Sequence, residues 1–271
     1  GYIDDVRVIN GVARYMKNFI PPSAAVGAKL NGINETNTTT DFTSLYLPFD
    51  SDVSDDSPYG HSVTASGGAA ISSTQAKFGG NSLSVISSGS DQLSISDHES
   101  FDFGTGDFTV ELQIYLPSQS SNNPVLIGAG GGWYLQLKSN DRTLSWYTGS
   151  TEVTNTASSG LSTEEWHHIA VCRSGTNLKG FVDGSLRFST TNSDATNLAN
   201  TLYIGRYNGA SLPFSGYMDD IRILKGYAKY VSEFTPPTSA VGTSVSETVN
   251  DLTTLYLPFN SVANTTSSTT S

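Results

Sequence analysis

The stretch GYIDDVRVINGVARYMKNFIPP opens the chain and returns as GYMDDIRILKGYAKYVSEFTPP at Gly216–Pro237. The two copies align without a gap from Gly1/Gly216 through Gly27/Gly242, and each is followed by a second matched pair, SLYLPFD at Ser44 and TLYLPFN at Thr254. The interval between copies is roughly 210 to 215 residues, the size of a whole domain and far longer than a solenoid repeat. A period of that length, seen once and a little more, reads as a window on a tandem array. It divides the chain into residues 1–27, the last strand and exit segment of a preceding repeat; 28–43, a linker; 44–242, one complete domain; and 243–271, the start of a following repeat or a Ser/Thr-rich tail. The competing reading is one domain with two similar hairpins, and the identity of so many positions weighs against it.

Hydrophobic residues at 37%, with 26 Gly, 13 Tyr and abundant Ser and Thr, describe a chain that can bury a core and turns often, the profile of an all-β fold. No apolar run approaches ~18 residues, so membrane insertion is not expected. A net charge of −11 with 14 scattered Lys and Arg argues against nucleic acid, whose phosphates need a basic stripe. The single cysteine, Cys172, cannot form an internal disulfide or a thiolate metal site alone, and within HHIAVCRS it reads as a small buried residue. The chain has neither an initiator Met nor a signal-like start, so any targeting information is expected outside this window.

Strand follows strand through 44–242. DFTVELQIYL puts Phe108, Val110, Leu112 and Ile114 on one side and Thr109, Glu111, Gln113 and Tyr115 on the other, the period-two pattern of a strand with one face in the core. GGWYLQLK and RTLSWYTG form a hairpin. EWHHIAVCRS is apolar on both faces around Ile169–Val171 and belongs in the middle of a sheet. LKGFVDGSLRFS carries Asp183-Gly184, a strong hairpin-turn signal. Shorter strands are expected at HSVTAS, NSLSVIS, DQLSIS and LYIGR. GYAKYVSEF and its twin GVARYMKNF look helical, the first ended by Pro236-Pro237. A dozen or so antiparallel strands over such a length predict a two-sheet sandwich.

The succession LYLPFDSDVSDDSPYGHSVTASGGAAIS, KFGGNSLSV, SDQLSISDHESFDFGTGDFTVELQIY, EWHHIAVCRSGTNLKGFVDG, LYIGR and SGYMDDIRILKGYAKY resembles the laminin-G-like jelly rolls of the concanavalin A-like lectin/glucanase superfamily. It is most similar to versions in virion and tail-fibre proteins of marine phages and in bacterial surface proteins. The resemblance implies an all-β, two-sheet antiparallel jelly-roll sandwich, placed outside the cell or on a virion surface. The superfold hosts lectins, adhesins, spacers and glycosidases, so it implies no single function.

Glucanases of this superfamily carry carboxylates at alternate positions of one strand, because glycosidic cleavage needs two. Here the comparable face offers only Glu111, beside Gln113 and Tyr115, so Glu111 reads as a solvated face residue and the chain as a non-enzyme. His167 and His168 are adjacent on a strand and point to opposite faces; the family has its His at the place of His168, a hydrogen-bonded structural imidazole. His61 and His98 have no partner nearby in sequence. GAGGGW at Gly128–Trp133 lacks the Lys and Ser/Thr of a phosphate loop and reads as a flexible turn.

Two acidic clusters remain: FDSDVSDD, with Asp50, Asp52, Asp55 and Asp56, and Asp219-Asp220 in GYMDDIRIL. Met218, Ile221 and Ile223 break strict alternation, and a bulge at the Asp pair would restore it. The resemblance implies that first and last strands pair, bringing the clusters together, and that relatives often hold a structural calcium there with carbonyls from a loop such as FGGNS. A calcium held by Asp50 or Asp56 with Asp219 or Asp220 is one expectation; ordinary turn and edge-strand acids are the other. Ser51 departs from the usual FDG.

For sugar binding the candidates are Gln113, Tyr115, Tyr134, Gln136, Tyr147 and Tyr207, since ring faces stack on pyranoses while amides meet hydroxyls. Leu135 and Leu137 share Trp133's face and Leu144 shares Trp146's, which puts both tryptophans in the core and Tyr134, Gln136 and Tyr147 on the solvent side. The expected function is a non-catalytic glycan-binding or adhesion module in tandem. Its partners would be glycans or cell-surface polysaccharide and neighbouring repeats or copies of the chain. The alternative is a purely structural fibre, capsid or filament subunit, with glycoside hydrolase last.

Overall fold

A computed structural model describes residues 42–244, apart from 87–89, 118–122, 139–141, 153–159 and 209–210, and the backbone of two further strands, 6–9 and 253–257. The chain divides into two compact units, Thr40–Val245, and Gly1–Thr39 with Ser246–Ser271. Its described strands are β1 (Val6–Ile9), β2 (Thr43–Leu47), β3 (Val63–Ser66), β4 (Ala70–Ser72), β5 (Ser82–Ser84), β6 (Gln92–Ile95), β7 (Phe108–Tyr115), β8 (Val125–Gly128), β9 (Trp133–Lys138), β10 (Thr143–Thr148), β11 (Thr151–Glu152), β12 (Trp166–Ser174), β13 (Asn177–Val182), β14 (Ser185–Thr191), β15 (Leu202–Ile204), β16 (Tyr217–Lys225) and β17 (Thr253–Leu257).

The larger unit is an all-β, two-layer sandwich. One sheet runs β11-β10-β9-β8-β15-β6-β3; the other runs β14-β13-β12-β7-β16-β5-β4, with β2 also paired to β16. Alternation drives the layering. Phe108, Val110, Leu112 and Ile114 point into the core from β7, and Trp133, Leu135, Trp146 and Leu144 meet them from β9 and β10. Trp133 and Trp146 stack at 5.2 Å, and the Trp133 indole donates to the Phe101 carbonyl at 2.9 Å, so the polar handle of the buried ring is satisfied. The β13–β14 turn has Asp183 at φ 51° and Gly184 at φ 74°, the left-handed pair that the Asp-Gly signal calls for.

Two expectations fail here for one reason. GYAKYVSEF is not helical: after Gly226, at φ 88°, the chain runs irregularly across the outer face of the eight-stranded sheet. Lys229 N–H donates to Thr109 Oγ1 at 2.9 Å, and Tyr230 and Phe234 pack on Ala170, Cys172 and Phe181. A two-turn helix is marginal alone, and these tertiary contacts outweigh it. The twin GVARYMKNF lies outside the described residues. The same covering buries Glu111, which is therefore not a solvated residue. Its carboxylate accepts from Arg222 Nε at 2.8 Å and from Arg222 Nη2, from Tyr230 OH at 2.8 Å, and from His168 Nε2 at 3.2 Å. Burial alone would raise this carboxyl, but the His168 bond and the charges of Arg222 and Lys229 outweigh it and hold it well below the ordinary carboxylate range. His168 is thus the hydrogen-bonded imidazole expected. Cys172 is buried on the same face, its Sγ 3.4 Å from Thr109 Oγ1 and its thiol pushed up to about 12 by burial.

In the smaller unit β1 pairs antiparallel with β17: Val6↔Leu257, Arg7↔Tyr256, Val8↔Leu255 and Ile9↔Thr253. In the sandwich β16 pairs with β2 as Ile221↔Leu47, Arg222↔Tyr46, Ile223↔Leu45 and Leu224↔Thr43. Position for position this is the same ladder, irregular at the same step.

Glu111→Gln would leave the buried Arg222 guanidinium without a countercharge. The expected cost is about 3–5 kcal/mol of unfolding free energy, read by urea denaturation; a loss under about 1 kcal/mol would mean that the pair is not what holds the covered face.

Candidate functional site

The bulge expected in β16 is present: register against β7 shifts between Asp219 and Arg222, and Asp220 sits at φ 51°. It aims the two acids differently. Asp220 accepts from Tyr46 OH at 2.9 Å and from Val241 N–H at 2.9 Å, so it ties β2 to the covering segment. Asp219 is fully buried; Oδ2 accepts from the amides of Lys77 and Phe78 at 2.9 and 3.0 Å, while Oδ1 has no partner. Asp50 reaches the same loop. Its carbonyl accepts from Asn81 Nδ2 at 2.6 Å, and a Cβ built on Gly79 would fall 1.4 Å from its Oδ1. Asp56 is exposed, with its amide on the Tyr46 carbonyl. Asp55 is buried as a turn acid, accepting from Tyr46, Ser57 and His61 amides.

Of the four acids proposed for a metal, Asp50 and Asp219 are thus brought to loop 77–81, and Asp56 and Asp220 are used elsewhere. Among the described residues no three His, Cys, Asp or Glu side chains gather to hold a metal ion. A cation here would have to draw on two carboxylates and backbone carbonyls. The orphaned, buried Asp219 Oδ1 fits such a hard cation. Gln113, beside Asp219 in register, is buried with neither amide atom partnered, and His168 Nδ1 next to it is likewise unpartnered.

The six sugar-binding candidates fall on two different faces. Gln113 and Tyr115 lie on the outer face of the eight-stranded sheet, Tyr115 half-buried against Trp166 and Tyr217. Tyr134, Gln136, Tyr147 and Tyr207 lie on the outer face of the seven-stranded sheet, opposite Trp133 and Trp146, which are in the core. They are not free platforms, however. Tyr134 and Tyr147 stack on each other at 4.3 Å and are only 8% and 9% exposed, closed over by Tyr207 and Leu212. Burial, then the neighbouring hydroxyls of Tyr147 and Tyr207, push the Tyr134 hydroxyl up. Gln136 donates to the Asn123 carbonyl at 2.7 Å. The half-exposed rings of this face are Tyr207 and Tyr203, and Tyr203 was missed, although Leu202 and Ile204 inside imply it outside.

Beside Tyr203 opens a cavity of about 220 Å³ lined by Asn200, Thr201, Tyr203 and Asn208. Asn200 and Asn208 of this lining bond to Gly130 of the GAGGGW loop, which is a close-packed turn and not a flexible one. Gly130 N–H donates to Asn208 Oδ1 at 2.6 Å, and a Cβ on Gly132 would fall 2.7 Å from the Ala199 nitrogen. His61 and His98 also gain partners. Their rings lie 4.9 Å apart, with Ser100 Oγ 3.1 Å from His61 Nε2 and 3.0 Å from His98 Nδ1. No sequence pattern joins positions so far apart.

The larger unit is thus a two-layer jelly roll with hydrogen-bonding side chains and tyrosines on an outer face. A laminin-G-type family profile, described as the Concanavalin A-like lectin/glucanases superfamily, matches residues 87–228, and the chain belongs to that family. No curated protein matches it. Among solved structures it is similar to domain 4 of AbnA, a GH43 extracellular arabinanase from Geobacillus stearothermophilus, in complex with arabinotriose, at 19% identity over 69% of this chain and 94% of that one, TM-score 0.54. It is similar to the botulinum neurotoxin serotype D binding domain at 17% identity over 70% and 49%, TM-score 0.55. A third is the binding domain of botulinum neurotoxin DC in complex with SialylT, at 16% identity over 70% and 50%, TM-score 0.50. The chain spans about half the length of those neurotoxin domains, and identities this low speak to the fold alone. Among the described residues no helix is long and apolar enough to cross a membrane.

Burial pushes the Asp219 carboxyl up to about 7, with Asp220 adding repulsion, against the pull of the Phe78 and Lys77 amides. Between the ordinary value of 3.8 and about 7 the folded chain keeps a proton that the unfolded chain has lost, so stability falls as pH rises through that window and levels off above it. In chelator, Asp219→Asn is expected to flatten the fall in melting temperature between about pH 4 and pH 7. Superimposable wild-type and variant profiles would contradict the assignment.

Proposed function

We propose that the chain is a non-catalytic glycan-binding or adhesion module, used in tandem in an extracellular or virion-surface protein. The observation that carries this is the cavity beside Tyr203: amide and hydroxyl groups of Asn200, Thr201 and Asn208 with the half-exposed Tyr203 ring, the chemistry that meets sugar hydroxyls and a ring face. Glu111 supports the non-catalytic part, because a buried carboxylate neutralised by Arg222 cannot serve as acid or base on a substrate. Relatives in complex with arabinotriose and with SialylT lend weight to glycans in general. The structural alternative, an array subunit without sugar binding, draws on the β1–β17 ladder, which repeats the β16–β2 register and suits a polymer of like units. Purified particles in which neighbouring units occlude every cavity would favour it.

The full chain, displayed multivalently on an array holding arabinan oligosaccharides and sialylated glycans, is expected to be retained by at least one glycan. Tyr203→Ala should weaken that binding about tenfold or more, the scale of a central aromatic contact. Retention by nothing would remove the reading.

We also propose a structural calcium ion, held by Asp219 Oδ1 with Asp50 and carbonyl oxygens of loop 77–81. When bound it would supply the countercharge that the buried Asp219 lacks. Calcium is expected to raise the melting temperature relative to EDTA at about pH 8, where Asp219 is ionised, and Asp219→Asn to abolish the difference; equal melting in both buffers would leave these acids as turn and strand residues only.

A further inference from the structure

We infer that Ser162 is an activated nucleophile, set up by His167 and Asp183 to take an acyl or phosphonyl group from an activated electrophile in a single covalent step. Ser162 Oγ lies 3.1 Å from His167 Nε2, and His167 Nδ1 lies 2.6 Å from Asp183 Oδ2. This order of hydroxyl, imidazole and carboxylate makes a serine reactive, and it is recognised by geometry and roles, not by position in the chain. Ser162 has no part in the pocket beside Tyr203, so the glycan reading stands or falls without it.

The carboxylate sets the tautomer. Burial would raise the Asp183 carboxyl, but the bonds from His167 and from the His168 amide outweigh it and hold it below the ordinary range. An ionised carboxylate only accepts, so Nδ1 carries the imidazole proton and Nε2 presents its lone pair to the Ser162 hydroxyl. Asp183 is itself held in place: Oδ1 accepts from the His168 amide at 2.9 Å, and its own N–H donates to the His168 carbonyl at 2.9 Å. Asp183 occupies the Asp-Gly turn, and the Ile169↔Val182 register brings that turn to the start of β12, where His167 sits. Loop 160–164 is fixed on both sides of Ser162. The Leu161 carbonyl accepts from Arg142 Nη1 at 2.8 Å, and the Glu164 N–H donates to the Leu116 carbonyl at 2.7 Å.

Exposure divides the roles. Ser162 is open to a reagent, whereas the His167 side chain is only 5% exposed and is kept from most of the water. Glu165 Oε1, 3.7 Å from Nε2, is placed to steady the imidazolium that forms once the Ser162 proton arrives. In the step, the Ser162 oxygen bonds to the electrophilic carbon or phosphorus and the bond to the leaving group breaks. The Ser162 proton moves to His167 Nε2 and then to the departing phenoxide or fluoride. Repeated turnover calls on donors for the oxyanion as well; one transfer calls on these three side chains, so Ser162 is a point of covalent attachment on a module that does not turn over substrate.

The test exposes the full chain to an alkyl fluorophosphonate and, separately, to p-nitrophenyl acetate, and locates the adduct by peptide mass spectrometry. The expected result is one adduct on Ser162, formed at a rate that climbs with pH to a plateau as one base loses its proton, and absent from the chain unfolded in urea. Ser162→Ala should remove it and, since Ser162 is exposed, should melt like the wild type. His167→Gln should slow it about a hundredfold or more, the scale of a lost general base. If that variant melts early, the pH profile and the urea comparison still decide. Labelling of Ser162 equally fast in urea, a rate that rises with hydroxide without a plateau, or no adduct at Ser162 would each overturn the assignment and leave the three groups as a tie between loop 160–164 and the β13–β14 turn.

Discussion

The ladder between β2 and β16 joins residues almost 180 positions apart and fixes the rest of the larger unit. Leu45, Leu47, Ile221 and Ile223 project inward from it and are fully buried. Tyr46 and Arg222 alternate outward, and both reach groups that the ladder alone makes adjacent: Tyr46 OH donates to Asp220, and Arg222 meets Glu111 and the Val241 and Gly242 carbonyls. Met218 and Ile221 are three residues apart and would fall on opposite faces of a regular strand. The bulge at Asp219-Asp220 inserts the residue that lets both enter the core. Closing so long a loop costs entropy that grows only slowly with length, and the inward apolar pairs set the register because a slip of one residue would turn all four to the wrong side.

The two outer faces of the sandwich are consequently unlike. On the eight-stranded sheet the exit segment after β16 lies back over β7 and β12, and the face becomes a small second core around Tyr230 and Phe234 with Glu111 neutralised inside it. What a glucanase would use as a reaction surface is here internal. On the seven-stranded sheet Tyr134 and Tyr147 close on each other, and the accessible chemistry moves to the edge of that patch, where Gly130 lets Asn208 and Asn200 approach. A lectin-like reading and a non-catalytic one therefore have a common origin in where the chain happens to cover its own sheets.

The polar row Asp219, Gln113 and His168 crosses three strands beneath the covered face, with unpartnered atoms at each position. Buried groups of this kind cost about 1–3 kcal/mol each unless something meets them, which is why a cation at Asp219 is physically reasonable even though only two carboxylates share the loop. The repeated ladder in the smaller unit ties the pairing to the strand sequences themselves, since Arg7↔Tyr256 repeats the register of Arg222↔Tyr46 in a separate two-stranded sheet.

Much was legible in the sequence because a strand writes its own face every second residue. The alternation in FTVELQIYL, the Asp-Gly turn, the core tryptophans and the bulge at Asp219-Asp220 are local patterns, and local patterns survive folding. Whether an outward residue meets water is another matter: Glu111, Gln113, Tyr134 and Tyr147 all point out of the core and all are buried, because a distant segment lies over them. The non-helical course of GYAKYVSEF, the pairing of His61 with His98 and the Gly130 clamp on Asn200 and Asn208 likewise depend on contacts between residues far apart in the chain. The sequence by itself determined which side of each strand faces the core; only the tertiary structure decided what covers the other side, since that depends on how the loops return and no periodicity records it.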